Sequence, residues 1–202
     1  MDIGILGEYL GKWILDGLPS ILGGAFSFLM FFFVLSPRVK FVSLVYDDSP
    51  NNLFSCDYPT QYKIGIRNRS LHIPKLCGHS IYSVKIKARL TIPLTERKSV
   101  FLDIPIDNDL NFEIPSLPAV TANGRTRWYT LCYKNARGLH ERLKMDIGLM
   151  ENFTLEDLLA VSGAKLTIYV TGRGQYTGQE KDFETTYTAS DVIPFRRNMV
   201  KG

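Results

Sequence analysis

The sequence predicts a mainly β fold, an antiparallel β-sandwich behind one N-terminal transmembrane helix. Three observations carry this: a charge-free run ending at Ser-Pro and two cations, a change after Lys40 to short β-branched and aromatic stretches, and strict alternation within one of those stretches. With 202 residues, 45% of them hydrophobic, the chain can build one sizeable core and a short appendage but not two large domains.

In residues 1–17, Ile3, Leu6, Tyr9, Leu10, Trp13 and Ile14 have the spacing of an amphipathic helix lying in a membrane interface. Gly4, Gly7 and Gly11 weaken that pattern, and a terminus packed on a partner fits the same residues. Leu18 to Leu35 gives eighteen residues without a charge. At about 1.5 Å per residue they would cover about 27 Å, close to the hydrocarbon core of a bilayer, so 18–35 is the expected span. A cleaved signal peptide would carry positive charge ahead of its apolar run and small residues at its end; here acidic turns precede the run and Phe-Phe-Val-Leu-Ser-Pro closes it. Arg38 and Lys40 follow the span while only Lys12 precedes it, which places the body, residues 36–202, in the cytoplasm. Up to Leu35, three acidic residues oppose that one lysine, a charge of −2, which leaves +6 on the remainder of a chain whose total is +4. The body is basic and its leader acidic.

Strands are expected at Val39 to Tyr46, Tyr62 to Arg67, Ser80 to Ile92, Ser99 to Ile104, Arg127 to Tyr133, Lys165 to Gly172 and Asp182 to Ser190, separated by Pro, Asn, Asp and Gly. Val84, Ile86, Ala88 and Leu90 point one way and Lys85, Lys87, Arg89 and Thr91 the other, giving one buried and one wet face. A helix is expected over Leu155 to Ser162, capped by Thr154 with Asp157 three residues on and stopped by Gly163. Asp47 to Pro59 and Asp107 to Gly124 read as long loops.

Little points to chemistry. Cys56, Cys77 and Cys132 are an odd number with no C-x-x-C spacing, which argues for unpaired thiols in a reducing compartment and against structural zinc. His72, His79 and His140 form no metal-binding spacing, and neither a nucleophile elbow nor a phosphate-binding loop is present. The glycine-rich Thr171 to Gly178 lies between two strands, the place of a hairpin. Asp47-Asp48 and Asp107-Asn108-Asp109 could hold a hard cation or simply form turns, and the expectation is no metal and no cofactor. Asn68-Arg69-Ser70 and Asn152-Phe153-Thr154 match the glycosylation pattern, which matters only for a body outside the cytoplasm. Lys85, Lys87, Arg89, Arg97 and Lys98 read as a solvated strand face, and the aromatics are interleaved as core, so nucleic acid is not an expected partner. Arg38 and Lys40 differ, because their place at the end of the span sets them at headgroup depth, where each cation near an anionic leaflet contributes about 1 kcal/mol. They are the expected lipid-binding residues.

The order of these features resembles the inward-rectifier potassium channel family. Ser36-Pro-Arg-Val-Lys-Phe41, Tyr62-Lys-Ile-Gly-Ile-Arg-Asn-Arg-Ser70 and Val84-Lys-Ile-Lys-Ala-Arg-Leu90 are similar to its inner-helix end and first cytoplasmic strands. Asn152-Phe-Thr-Leu-Glu-Asp-Leu158, Leu166-Thr-Ile-Tyr-Val-Thr-Gly172 and Thr186-Tyr-Thr-Ala-Ser-Asp-Val-Ile193 resemble its short helix, a glycine-terminated strand and a closing strand. About two thirds of Ser36 to Lys201 is covered, with Asp103 to Met150 poorly matched. The resemblance implies an immunoglobulin-like cytoplasmic domain that assembles as a tetramer, binds anionic lipid and regulates a pore. No Thr-Val-Gly-Tyr-Gly-like filter exists and there is one span where the family has two; Pro194 and Phe195 replace its tryptophan and glycine.

The expected function is therefore a membrane-anchored, single-pass, non-enzymatic module for homo-oligomeric assembly, lipid or ligand sensing, or regulation of ion transport. Two other readings stay open: a structural subunit of a larger membrane complex, and an exported, anchored domain binding carbohydrate or protein, which an oxidised cysteine pair or an occupied glycan would favour.

Overall fold

The computed structural model describes residues 17–29, 35–47, 61–69, 80–95, 98–118, 126–133 and 153–194. The chain divides into two units, Met1–Ser36 and Pro37–Gly202. In the first, residues 17–29 are helical, and among the described residues no helix is long and apolar enough to cross a membrane. Residues 30–34 of the expected 18–35 span, and the amphipathic segment before it, lie outside the described residues.

The second unit is mainly β, as expected, and forms two largely antiparallel sheets. Sheet A contains β1 (Val39–Phe41), β2 (Leu44–Asp47), β3 (Gln61–Asn68), β7 (Arg127–Leu131) and β10 (Val192–Pro194). The single strand expected over Val39 to Tyr46 is interrupted at residues 42–43, yet the Val42 N–H still donates to the Gly65 carbonyl at 2.8 Å. Hence β1 and β2 lie along one side of β3 and β7 along the other, while β10 runs parallel to β2. Sheet B contains β4 (Ile81–Thr95), β5 (Lys98–Ile104), β6 (Glu113–Leu117), β8 (Lys165–Gly174) and β9 (Glu180–Tyr187). Strand β4 is its spine, with β5 and β6 on one side and β8, then β9, on the other.

Each sheet follows from its pattern. Alternation along β4 buries Ile86, Ala88 and Leu90 and exposes Lys85, Lys87 and Arg89. A bulge between Tyr82 and Lys85, with Ser83 at a φ of 48°, shifts the phase so that Ile81 and Val84 both turn inward. The inner faces of both sheets meet in one core, in which Ile64 and Ile66 belong to sheet A and Ile86 and Ile168 to sheet B. Leu155, Leu158 and Leu159 from the helix Leu155–Ala160 join it. Each such side chain contributes about 1.5–3 kcal/mol by leaving water. The helix is capped as its sequence requires: the Asp157 N–H donates to Thr154 Oγ1 at 3.1 Å, and Asp157 Oδ2 accepts from the Thr154 N–H at 2.6 Å.

Side-chain hydrogen bonds also tie the sheets together, among them Arg127 Nη1 donating to the Ser116 carbonyl at 3.3 Å. Asn68 is buried and donates from Nδ2 to the Leu117 carbonyl at 3.0 Å. Tyr187, at the end of β9, donates its hydroxyl to the Val42 carbonyl, and burial pushes its phenol strongly upward.

Three expectations need correction. The loop expected over 107–124 contains β6, an edge strand that accommodates Pro115, preceded by the tight Asp107-Asn108 turn. The final strand expected to reach Ser190 ends at Tyr187, a 3-10 turn Ala189–Asp191 follows, and β10 comes next. Cys132 is buried and disulfide-bonded, against the expectation of unpaired thiols; fold contacts rather than sequence spacing decide which sulfurs meet. Cys56 and Cys77 lie outside the described residues.

Candidate functional site

The outer face of sheet A is read from its registers, because residues directly opposite across an antiparallel pair share a face. Lys40 is opposite Arg67, which donates from Nη2 to Thr126 Oγ1 at 2.9 Å and from Nε at 3.3 Å. One step toward the start of β1, the Arg69 N–H donates to the Arg38 carbonyl at 2.7 Å. Arg38, Lys40 and Arg69 are exposed and Arg67 half-buried, so four cations collect where β1 meets the end of β3. Their inward neighbours Ile66 and Asn68 are locked into the core region, which fixes the backbone under the cluster.

Both expected lipid-binding residues thus stand on one exposed corner. Arg67 and Arg69 join them, and the alternating Ile66-Arg67-Asn68-Arg69 at the end of β3 was the signal that could have found them. By register the Cβ atoms of neighbours in this set stand about 5–8 Å apart, so an anion with several oxygens could reach more than one of these side chains. Gly65 is required beside the cluster, because a Cβ there would come within 2.7 Å of Thr126 Cγ2 and 3.0 Å of Val42 Cβ.

The other candidates resolve into local structure or lie out of view. Asp107 Oδ1 accepts from the Thr130 N–H at 2.9 Å and Asp109 Oδ1 from the Asn111 N–H at 2.8 Å, the work of turn residues. Asp107 and Asn108 have φ of 47° and 69°, as a two-residue hairpin turn demands. Among the described residues no group of three or more His, Cys, Asp or Glu could hold a metal ion. The three histidines, Asp48, Arg97 and Asn152 fall outside the described residues. Asn68 is only 1% exposed with its amide engaged, so the folded domain cannot carry a glycan there. Thr171 to Gly178 forms the β8–β9 hairpin, closed by the Gly178 N–H donating to the Gly174 carbonyl at 2.9 Å.

A separate cleft of about 400 Å³ lies on the outer face of sheet B, lined by Arg89, Thr91, Phe101, Lys165, Thr167 and Tyr169 among others. Arg89 is held there by Asp103, Nε to Oδ1 at 2.8 Å. No family model matches the chain and no curated protein matches it.

Proposed function

We propose that this chain is a membrane-anchored, non-catalytic immunoglobulin-like β-sandwich module, resembling the regulatory cytoplasmic domain of inward-rectifier potassium channels. Its Arg38 and Lys40, with Arg67 and Arg69, hold anionic lipid headgroups. The module serves oligomeric assembly, lipid or ligand sensing, or regulation of ion transport through another chain's pore. The observation that carries the anchor is the N-terminal helix: Ile21, Leu22, Phe26, Phe28 and Leu29 are 71%, 59%, 66%, 61% and 53% exposed, a continuous apolar face that water does not favour. Its opposite side carries Ser20, Gly23, Gly24 and Ser27, and a Cβ at either glycine would meet nothing within 4 Å. Small residues at that spacing let a second helix approach closely in lipid.

The test is extraction and flotation of the full-length protein. Retention in the membrane after alkaline wash, together with Arg38→Ala/Lys40→Ala weakening the binding of the detergent-solubilised chain to anionic but not zwitterionic vesicles, supports the proposal. Release by alkali sinks the anchor.

A second reading, an exported anchored binding domain, is favoured by the disulfide at Cys132, since such bonds persist in oxidising compartments. Protease protection of the body in sealed cells or vesicles separates the two orientations.

A further inference from the structure

The outer face of sheet B carries a charge pattern that neither the fold nor the anchor uses. Strand β4 exposes Lys85 and Lys87; β9, two strands away, exposes Asp182 and Glu184; β8 between them contributes Thr171 and Tyr169. The registers align these as rows. Lys85 is opposite Thr171, which is opposite Asp182, and Lys87 is opposite Tyr169, which is opposite Glu184. Each row therefore reads positive, neutral, negative across the sheet. Lys85, Lys87 and Glu184 make no side-chain hydrogen bond or ion pair among the described residues, while Asp182 accepts from Thr171 Oγ1 at 2.6 Å and keeps its charge exposed. Glu113 on β6 flanks Lys85 on the far side without pairing with it.

We infer that this face pairs with the same face of a second copy, about a two-fold axis lying over β8 and running along it. Such a rotation leaves position along the strands unchanged and exchanges the two sides of the sheet. It sets Lys85 of each copy against Asp182 of the other and Lys87 against Glu184, four complementary contacts in all. On the axis Tyr169, 37% exposed, meets its own counterpart and supplies an apolar centre inside the charged pairs. Turning one copy end over end instead would set Lys85 against Lys87 and Asp182 against Glu184, so these two rows favour the geometry described. The other exposed β8 charges, Lys165 and Arg173, meet their own counterparts only toward the two ends of the axis, and Arg173 is already paired with Glu180 at 3.2 Å.

This pairing does not depend on the anchor, and charge exchange tests it in the full-length protein in detergent. Lys85→Glu/Lys87→Glu makes the rows wholly acidic and Asp182→Lys/Glu184→Lys makes them wholly basic. Each variant alone is expected to lose the self-association of the parent chain by light scattering, and a tagged copy of one is expected to capture the other from an equimolar mixture. Capture of that kind cannot arise from the N-terminal helix, which both variants share. Variants that assemble as the parent does, or folded variants that fail to capture each other, overturn the inference. The unaltered chain provides a measurement free of folding artefacts: the association must weaken as salt rises from 0.05 to 1 M, and indifference to salt also overturns it.

Discussion

Strands β3 and β4 show that alternation tells which residues share a face but not whether that face is wet. Both alternate in sequence: Gln61, Lys63, Gly65 and Arg67 in one, Lys85, Lys87 and Arg89 in the other. In β4 the polar set is exposed. In β3 it is covered, with Gln61 3% and Lys63 6% exposed and Thr130 beside Lys63 equally buried. Sheet A is therefore closed on both faces over most of β3 and opens at its Arg67 and Lys40 end, whereas sheet B keeps most of one face exposed, with Thr167 at 4% a covered exception.

The first way to challenge that contrast is on the shared inner side, where the sheets should behave alike. Ile64→Ala and Ile86→Ala should each cost about 2–5 kcal/mol in chemical denaturation, because both side chains lie in the one core. On the outer faces the sheets should part company. Gly65→Val forces methyl groups against Thr126 and Trp128 and should cost about 1–3 kcal/mol, while Lys87→Thr on the open face should stay within about 0.5 kcal/mol. Equal costs for those two would refute a covered sheet A. Between these extremes, Tyr187→Phe removes the bond to the Val42 carbonyl and should cost about 1 kcal/mol.

The same tyrosine gives an alkaline signature. Burial raises the phenols of Tyr187, Tyr62 and Tyr129 above their ordinary value of 10.0, so the unfolded chain loses these protons first. Stability is then full below about pH 10 and falls as pH rises beyond it, and Tyr187→Phe should flatten part of that fall in a pH series of unfolding midpoints. The smallest effect is acidic. The Asp191 carboxyl is held below its usual range by the Thr188 N–H and hydroxyl, so its contribution is present above about pH 4 and disappears as pH falls through the lowered value. Asp191→Asn should remove that limb and lower neutral stability by the small amount that the limb spans.

The sequence made legible what depends on local rules. Alternation located seven strand regions, and Thr154 with Asp157 announced the capped helix because both partners lie within one turn. It left out what depends on distant contacts. Strand β6 was hidden by Pro115, which only an edge tolerates, and β10 has only three residues whose partner β2 lies far back in the chain. Cys132 found its sulfur partner through the fold. Of the candidate site, Arg38 and Lys40 could be placed by their position after an apolar run, while Arg67 and Arg69 joined them only through the β1–β3 register.

The parallel pairing of β10 with β2 has a mechanical consequence. Val192, Ile193 and Pro194 lie beside Leu44, Val45 and Tyr46 with both strands running the same way. A force drawn between the chain before β2 and the chain after β10 therefore acts along these strands and loads their hydrogen bonds together, in shear rather than by unzipping. A domain tethered on its N-terminal side and pulled from beyond β10 would resist extension as a unit, and its rupture force would be set by one short strand pair.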